Sequence, residues 1–301
     1  MTLSLVPLPG SVAYEIRGID PARLTASDRE ALRDAFLRHS VLVLRRVPLT
    51  PDSQLAMAEA LGEPEIHPIS NGRLEGHPAI LVPKPYGAPD SDDPEAIVGR
   101  IDWHADLTYT TTPPRGALLR AVTIPPEGGQ TGFIDTAAVF DALPESQRTQ
   151  LEPLEAIHDL ARAQRLLGLD MTSESTQAVA RRFPSVAQPL VLRDPATERR
   201  CLNASPFFCE AIVGMRAAEG AALLTSLVAF ATQPRFVYWH DWQQDDLVVW
   251  NNYRTLHAAA GHRQKYARTM HRATLKGETA LGRFPTPAER SALAPTRADA
   301  A

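Results

Sequence analysis

The chain has 301 residues, 44% of them hydrophobic and 22% charged, with a formal net charge of -4. That is the profile of a soluble globular protein, and the acidic balance argues against a general affinity for nucleic acid or an anionic membrane surface. No apolar run nears the ~20 residues that cross a bilayer. Pro7 and Pro9 break the short apolar start, which therefore does not read as a secretory signal. Cys201 and Cys209 make no disulfide framework, so a cytoplasmic location is the expectation.

Tyr14 to Ile19 alternates and reads as a short strand. Ser27, with Glu30 three residues on, has the capping-box pattern for a helix carrying Leu32, Ala35, Phe36 and His39 on one side. Val41 to Leu44 is an apolar run expected as a buried strand. Pro51 to Leu61 predicts a second helix, closed at Gly62. A strand is expected at Ala79 to Val82. Lys84 to Asp93, with Pro85, Gly87 and Pro89, reads equally as a lid or as plain solvated loop. Strands are expected at Arg115 to Ile124 and Thr131 to Ile134, around the turn Pro125 to Gln130. Helices are expected at Thr136 to Leu143, Glu145 to Leu151, Thr172 to Arg182 and Met215 to Thr232. Ala156 to His158 is strand-like. Pro189 to Arg193 and Cys201 to Asn203 resemble two arms of a hairpin. Arg235 to Trp242 and Asp246 to Trp250 alternate as strands around a polar turn, and Thr269 to Leu275 is the last strand. One domain over residues 1–280 is expected, followed by an extension or tail over 281–301 rich in Ala, Pro, Arg and Ser. Many short strands with scattered helices predict a mainly β fold, a sandwich or jelly roll with helices outside. An α/β fold is the alternative, weakened by the lack of a Gly-rich phosphate loop.

Trp103-His104-Ala105-Asp106 sets an imidazole and a carboxylate two residues apart. In an extended chain such positions point to one side. His257 is the candidate third donor. Two imidazoles and one carboxylate leave one face of an octahedral metal open, the arrangement of non-haem Fe(II) oxygenases. His-x-Asp also arises by chance as a surface hydrogen-bonded pair. Further on, Arg268 and Arg272 share a strand face because their separation is even. Two inward guanidiniums would call for two anions; two surface arginines on an edge strand are the other reading.

Taken together, Trp103 to Asp106, Gly128-Gly129-Gln130-Thr131, Trp250 to His257 and Arg268-x-Met270-x-Arg272-x-Thr274 resemble, in order and spacing, the TauD/TfdA family of Fe(II)- and 2-oxoglutarate-dependent dioxygenases. The resemblance runs from the first strand to Gly277 and implies a double-stranded β-helix (jelly-roll) core. It implies His104, Asp106 and His257 as iron ligands, Arg268 and Thr131 as the hold on the far carboxylate of 2-oxoglutarate, and O2 as co-reactant. It implies Arg272 and His67 at the anionic end of a small organic substrate, Arg100 as a pocket-lining residue and Phe208 as an aromatic wall. Neither nucleic acid nor membrane is implied as a partner, and a homo-oligomer is compatible with it. Where taurine-using members carry tyrosine three residues after the histidine matched by His67, this chain has Ser70. It has Arg100 in place of asparagine and Asn251-Asn252-Tyr253 in place of Asp-Asn-Arg. Taurine is therefore in doubt as substrate, the iron and cosubstrate sites are not. A zinc hydrolase built on the same triad would need a general base that neither motif offers. A non-catalytic 2-oxoglutarate sensor would not need the intact triad.

Elsewhere His271 reads as exposed, His262 as a turn cap, His240 and Trp239 as sheet packing, and both cysteines as small buried hydrophobes.

Overall fold

The structure is a computed structural model that describes residues 3–10, 12–66, 72–84 and 93–292, the side chains of 291 and 292 excepted. His67, Ser70 and residues 85–92 of the Lys84 to Asp93 segment lie outside the described residues.

The chain is mainly β with eight α-helices among the described residues. The larger sheet has nine strands. Its path runs Ser4–Pro7, Ala13–Arg17, Val41–Leu44, Leu247–Asn251, Gly116–Thr123, Thr269–Leu275, His77–Leu81 and Arg73–Leu74, with Pro64–Glu65 also on Thr269–Leu275. The central strands Val41–Leu44 and Leu247–Asn251 are buried at every residue. Their alternating side chains feed two separate cores. Leu42, Leu44, Leu247 and Val249 pack against Leu32, Phe36 and Met57 of the helices Ala26–Arg38 and Pro51–Leu61. Val41, Val43, Val248 and Trp250 face the other way, against Phe133 and Tyr238 of a second sheet.

That second sheet has four strands, in the order Val237–His240, Thr131–Asp135, Thr255–Arg263 and Ile97–His104. Its outer side, through Ile134, Leu256 and Trp103, meets Leu224 and Leu227 of the helix Ala217–Ala231. Val186–Pro189, Glu155–His158 and Cys209–Ile212 make a smaller sheet. Leu281 and Gly282 donate backbone hydrogen bonds to Thr111, and Arg283 bridges to Ala187 and pairs with Glu155 and Glu289. No helix among the described residues is long and apolar enough to cross a membrane.

The helix at Pro51–Leu61 starts and stops as expected, with proline in its first turn and Gly62 as C-cap. The first helix starts earlier than its capping pattern indicates. Its N-cap is Thr25, paired reciprocally with Asp28, and not Ser27 with Glu30. The helix begins two residues upstream of that expectation, at Ala26, which puts Asp28 at the third helical position where it closes the box. The strands at Val237–His240 and Leu247–Asn251 are not two arms of one hairpin. His240 is in register with Thr131 and Leu247 with Leu44, in different sheets. Buried Asp246 makes the crossing, accepting from the backbone N–H groups of Gln243 and Arg46 at 3.0 Å each. Thr255–Arg263, which carries His257, has no strand signal in Thr-Leu-His-Ala-Ala-Ala-Gly. It is a strand because it lies between two others, and tertiary pairing overrides weak propensity.

Candidate active site

The strand Ile97–His104 ends on His104, and Asp106 lies in the turn beyond it, where Leu107 takes a φ of 50°. The two side chains converge because the backbone bends there, not because an extended strand alternates. A positive φ at leucine costs energy and persists only where neighbours enforce it. Asn252 does the enforcing. Its Oδ1 accepts from the Asp106 N–H at 2.7 Å, and its Nδ2 donates to the carbonyls of Asp106 and Pro114 at 3.0 Å each. Asn252 sits in the turn that carries the chain from the larger sheet to Thr255–Arg263, so one crossing residue also holds the Asp106 turn.

His257 is in register with His104 on the adjacent strand, their ring centroids 4.2 Å apart. Nε2 of His104 lies 3.9 Å from Asp106 Oδ1, and Nε2 of His257 lies 3.6 Å from it. One donor atom from each of the three residues falls within 4.8 Å of the others, and all three residues are buried. His104 Nδ1 is 2.7 Å from the Asp102 carbonyl. A carbonyl only accepts, so Nδ1 carries the proton and Nε2 turns its lone pair to the group. Burial, with His257 adding to it, pushes the His104 imidazole down to about 3, which keeps it neutral. Burial alone would raise the Asp106 carboxyl. Arg272, with the two imidazoles, outweighs it and holds the carboxyl well below the ordinary range. His257 Nδ1 and Asp106 Oδ2 are buried without a hydrogen-bond partner. Two imidazoles beside one anionic oxygen, all buried, are a donor set that Fe(II) fits.

A cavity of about 380 Å³ opens on this group. Arg268, Arg272 and His262 line one side; Tyr109, Phe207 and Phe208 line the other. His104 lies 5.4 Å from Phe207 and 6.1 Å from Phe208, ring to ring. Arg268 is partly buried. Its Nη2 donates to the Gly129 carbonyl at 3.2 Å, and its Nε is buried without a partner. No carboxylate among the described residues pairs with it, and burial alone drags the guanidinium down to about 10. Gly129 has a φ of 77°, and a Cβ there would stand 3.2 Å from Arg268 Nε, so glycine lets the turn pass this close. Thr131 is buried and accepts from Trp242 Nε1 at 3.0 Å, leaving its own hydroxyl hydrogen for another acceptor. It pairs with Ala259, which lines the cavity, though its side chain is not in the lining itself.

Arg272 has a partner inside the protein. Its Nη2 lies 2.5 Å from Asp106 Oδ2, without hydrogen-bond alignment, and its guanidinium carbon is 5.5 Å above the Trp250 ring. Arg100 is not brought to the cavity. Gly99 and Ile101 line it, so Arg100 between them turns outward and is exposed. His262 is no turn cap. It is buried in the strand Thr255–Arg263 and faces the cavity near Arg268.

Residues 4–274 match the family described as "Taurine catabolism dioxygenase TauD, TfdA family". The chain belongs to the TauD/TfdA family of dioxygenases. It is 33% identical over 287 residues to the (S)-phenoxypropionate/alpha-ketoglutarate-dioxygenase of Sphingobium herbicidovorans, covering 92% of this chain and 96% of the relative. Its fold is similar to a taurine dioxygenase from Burkholderia xenovorans at a TM-score of 0.77 and 27% identity, over 97% and 99% of the two chains. It is similar to AAD-2 in complex with Mn(II) and N-oxalylglycine at a TM-score of 0.76 and 28% identity, over 93% and 100%. The protein is thus a 2-oxoglutarate-dependent oxidoreductase that uses Fe(II) and O2.

Several residues of the dioxygenase carry no motif signal. Phe207 adjoins Phe208 and lies nearer to His104. Asn252 stands beside the His257 motif, but its clamp on a turn far upstream is visible only once the chain is folded. Cys209 lies 3.3 Å from His158 Nε2, fully buried, with burial raising its thiol to about 12, so it is inert. His271 is half-buried rather than exposed, since Gln54 of the second helix donates to its carbonyl at 2.9 Å.

Proposed function

We propose that His104, Asp106 and His257 hold Fe(II), that Arg268 and Thr131 take the far carboxylate of 2-oxoglutarate, and that the enzyme hydroxylates an unactivated C–H of a small organic anion whose charged end meets Arg272. Bound at the triad, iron with 2-oxoglutarate and O2 supplies the oxidising chemistry, with succinate and CO2 as coproducts. The chain's own contribution is positional. Asn252 aims Asp106, and the Asp102 carbonyl fixes the His104 tautomer. Phe207 and Phe208 keep water from the reacting face. Arg272 has five N–H groups, and the Asp106 contact occupies one end of the guanidinium, leaving the rest for an anion. Phenoxypropionate is a carboxylate and taurine a zwitterionic sulfonate, so the compounds named for the relatives above both carry an anionic end. In the same reading the nine- and four-stranded sheets, packed through Phe133 and Trp250, are the halves of a jelly roll, and residues 1–280 belong to a single domain.

The observation that carries this reading is Arg268. A guanidinium on a cavity wall beside three metal-type donors, with no carboxylate among the described residues to meet it, is a site for an anion from outside the chain. Losing one partner of a buried charge pair costs about 2–5 kcal/mol. Arg268→Ala should therefore weaken 2-oxoglutarate by roughly thirty-fold or more and leave iron affinity near wild type. Unchanged cosubstrate affinity in an anaerobic titration would refute the assignment.

A further inference from the structure

Part of the cavity wall is built by the helix Leu160–Leu166 and the residue after it. Leu160, Ala163, Gln164 and Leu167 all line the cavity. Their spacing of i, i+3, i+4 and i+7 is one face of a helix. Three members of the stripe are aliphatic, and the fourth is an amide. Gln164 is only 6% exposed, and its Oε1 is buried with no hydrogen-bond partner. The adjacent Ala163 clusters with Tyr109, Phe207 and Phe208, and Leu160, Leu167 and Phe183 pack on that cluster, so this helix face is largely apolar. Buried polar groups are paired almost everywhere in folded proteins. A leucine would continue the stripe without leaving an amide unpaired. The cavity therefore carries cations at Arg268 and Arg272, a largely apolar lining, and on the helix face the neutral amide of Gln164.

We propose that Gln164 is a specificity-determining residue. It hydrogen-bonds an uncharged hydroxyl or carboxamide carried on the apolar body of the substrate, away from the anionic end. Groups of this kind both donate and accept, so they can satisfy Oε1 and engage the amide N–H groups. An alkyl or halogen substituent can do neither. This rests on the reading above that the substrate is an anion met by Arg272.

The test uses the full iron-loaded chain with 2-oxoglutarate and matched pairs of phenoxyacetates. Each pair has a hydroxyl at the ortho, meta or para position against a methyl group of similar size. Succinate formation gives kcat and KM, and calorimetry on the metal-free chain gives Kd. Wild type should prefer the hydroxyl probe at one ring position. Gln164→Met should raise that probe's Kd and KM by about 10-fold or more while moving the methyl twin by no more than about 2-fold, because a site built to hydrogen-bond a group discriminates strongly against its absence. Gln164→Leu is the second shape-conserving variant, and both replacements favour a helix. Hydroxyl and methyl probes shifting together in both variants would reduce Gln164 to wall packing and overturn the proposal, as would a wild type that prefers every methyl twin. If no phenoxyacetate binds or supports succinate formation, the anion reading at Arg272 falls first and takes this one with it. That outcome is distinct from equal shifts in an active enzyme.

Discussion

Arg272 and Asp106 form an ion pair, Nη2 to Oδ2 at 2.5 Å, on the side of the carboxylate away from the imidazoles. Oδ1 faces His104 and His257, and Oδ2 faces a guanidinium that stays charged when buried. One carboxylate thus joins the metal position to the residue read as the substrate's anchor.

Arg272→Met should act on both. Partners that orient a ligating carboxylate are worth about 10–100-fold in metal affinity. The variant should lose iron affinity in that range, measured by competition with a chromogenic chelator, and also show a raised KM for anionic substrates. Wild-type iron affinity with only the KM raised would mean that the Oδ2 contact does not orient the carboxylate.

Asn252→Ala removes three hydrogen bonds that hold the Asp106 turn. Leaving buried backbone groups unpaired costs about 1–3 kcal/mol each, so thermal stability should drop. Iron affinity should fall more than 2-oxoglutarate affinity, since Arg268 lies just before the strand Thr269–Leu275, away from the Asp106 turn. Asn252→Asp keeps the acceptor for the Asp106 N–H and loses the donor. It should be intermediate in both measurements, and equality with alanine would locate the clamp in the donated bonds alone.

His158 should make the fold acid-sensitive. It is fully buried, between Thr108 Oγ1 at 2.9 Å and the Cys209 thiol, and burial pushes it from 6.5 down to about 3. Between those values the unfolded chain binds the proton and the folded one does not. Stability is therefore intact above 6.5 and is lost as pH falls through this window, at a limiting slope of about 1.4 kcal/mol per pH unit for one such histidine. Urea unfolding of His158→Gln and wild type between pH 7 and 4, values chosen to span roughly that window, should give a shallower slope in the variant. Parallel slopes would count against His158 as the source.

Much of the local structure was legible because its signals are local. Pro51 and Gly62 bracket a helix by backbone geometry alone, and the unbroken apolar run Val41–Leu44 marks a strand buried on both faces. Thr255–Arg263 was not legible, because a run of alanines ending in glycine carries no strand preference. Neighbours on both sides impose its conformation. The outward turn of Arg100 has a related origin. Its side of the sheet depends on the register between Ile97–His104 and Thr255–Arg263, which is shifted by a bulge between His257 and Ala259.

The residue types and their order along the chain determined which chemistry this protein could hold: two imidazoles, one carboxylate, two arginines and a glycine pair in front of a threonine. Donor identity and charge belong to each side chain whatever its surroundings. Only the tertiary structure decided where those groups point. Asp106 is aimed by Asn252, 146 residues away in sequence. Arg272 is shared with the carboxylate it adjoins, Arg268 is left without a carboxylate, and Gln164 is turned into an apolar wall. Each of these depends on which strand or helix lies beside which, and that is settled by the packing of two sheets and their helices and not by any stretch of sequence short enough to read alone.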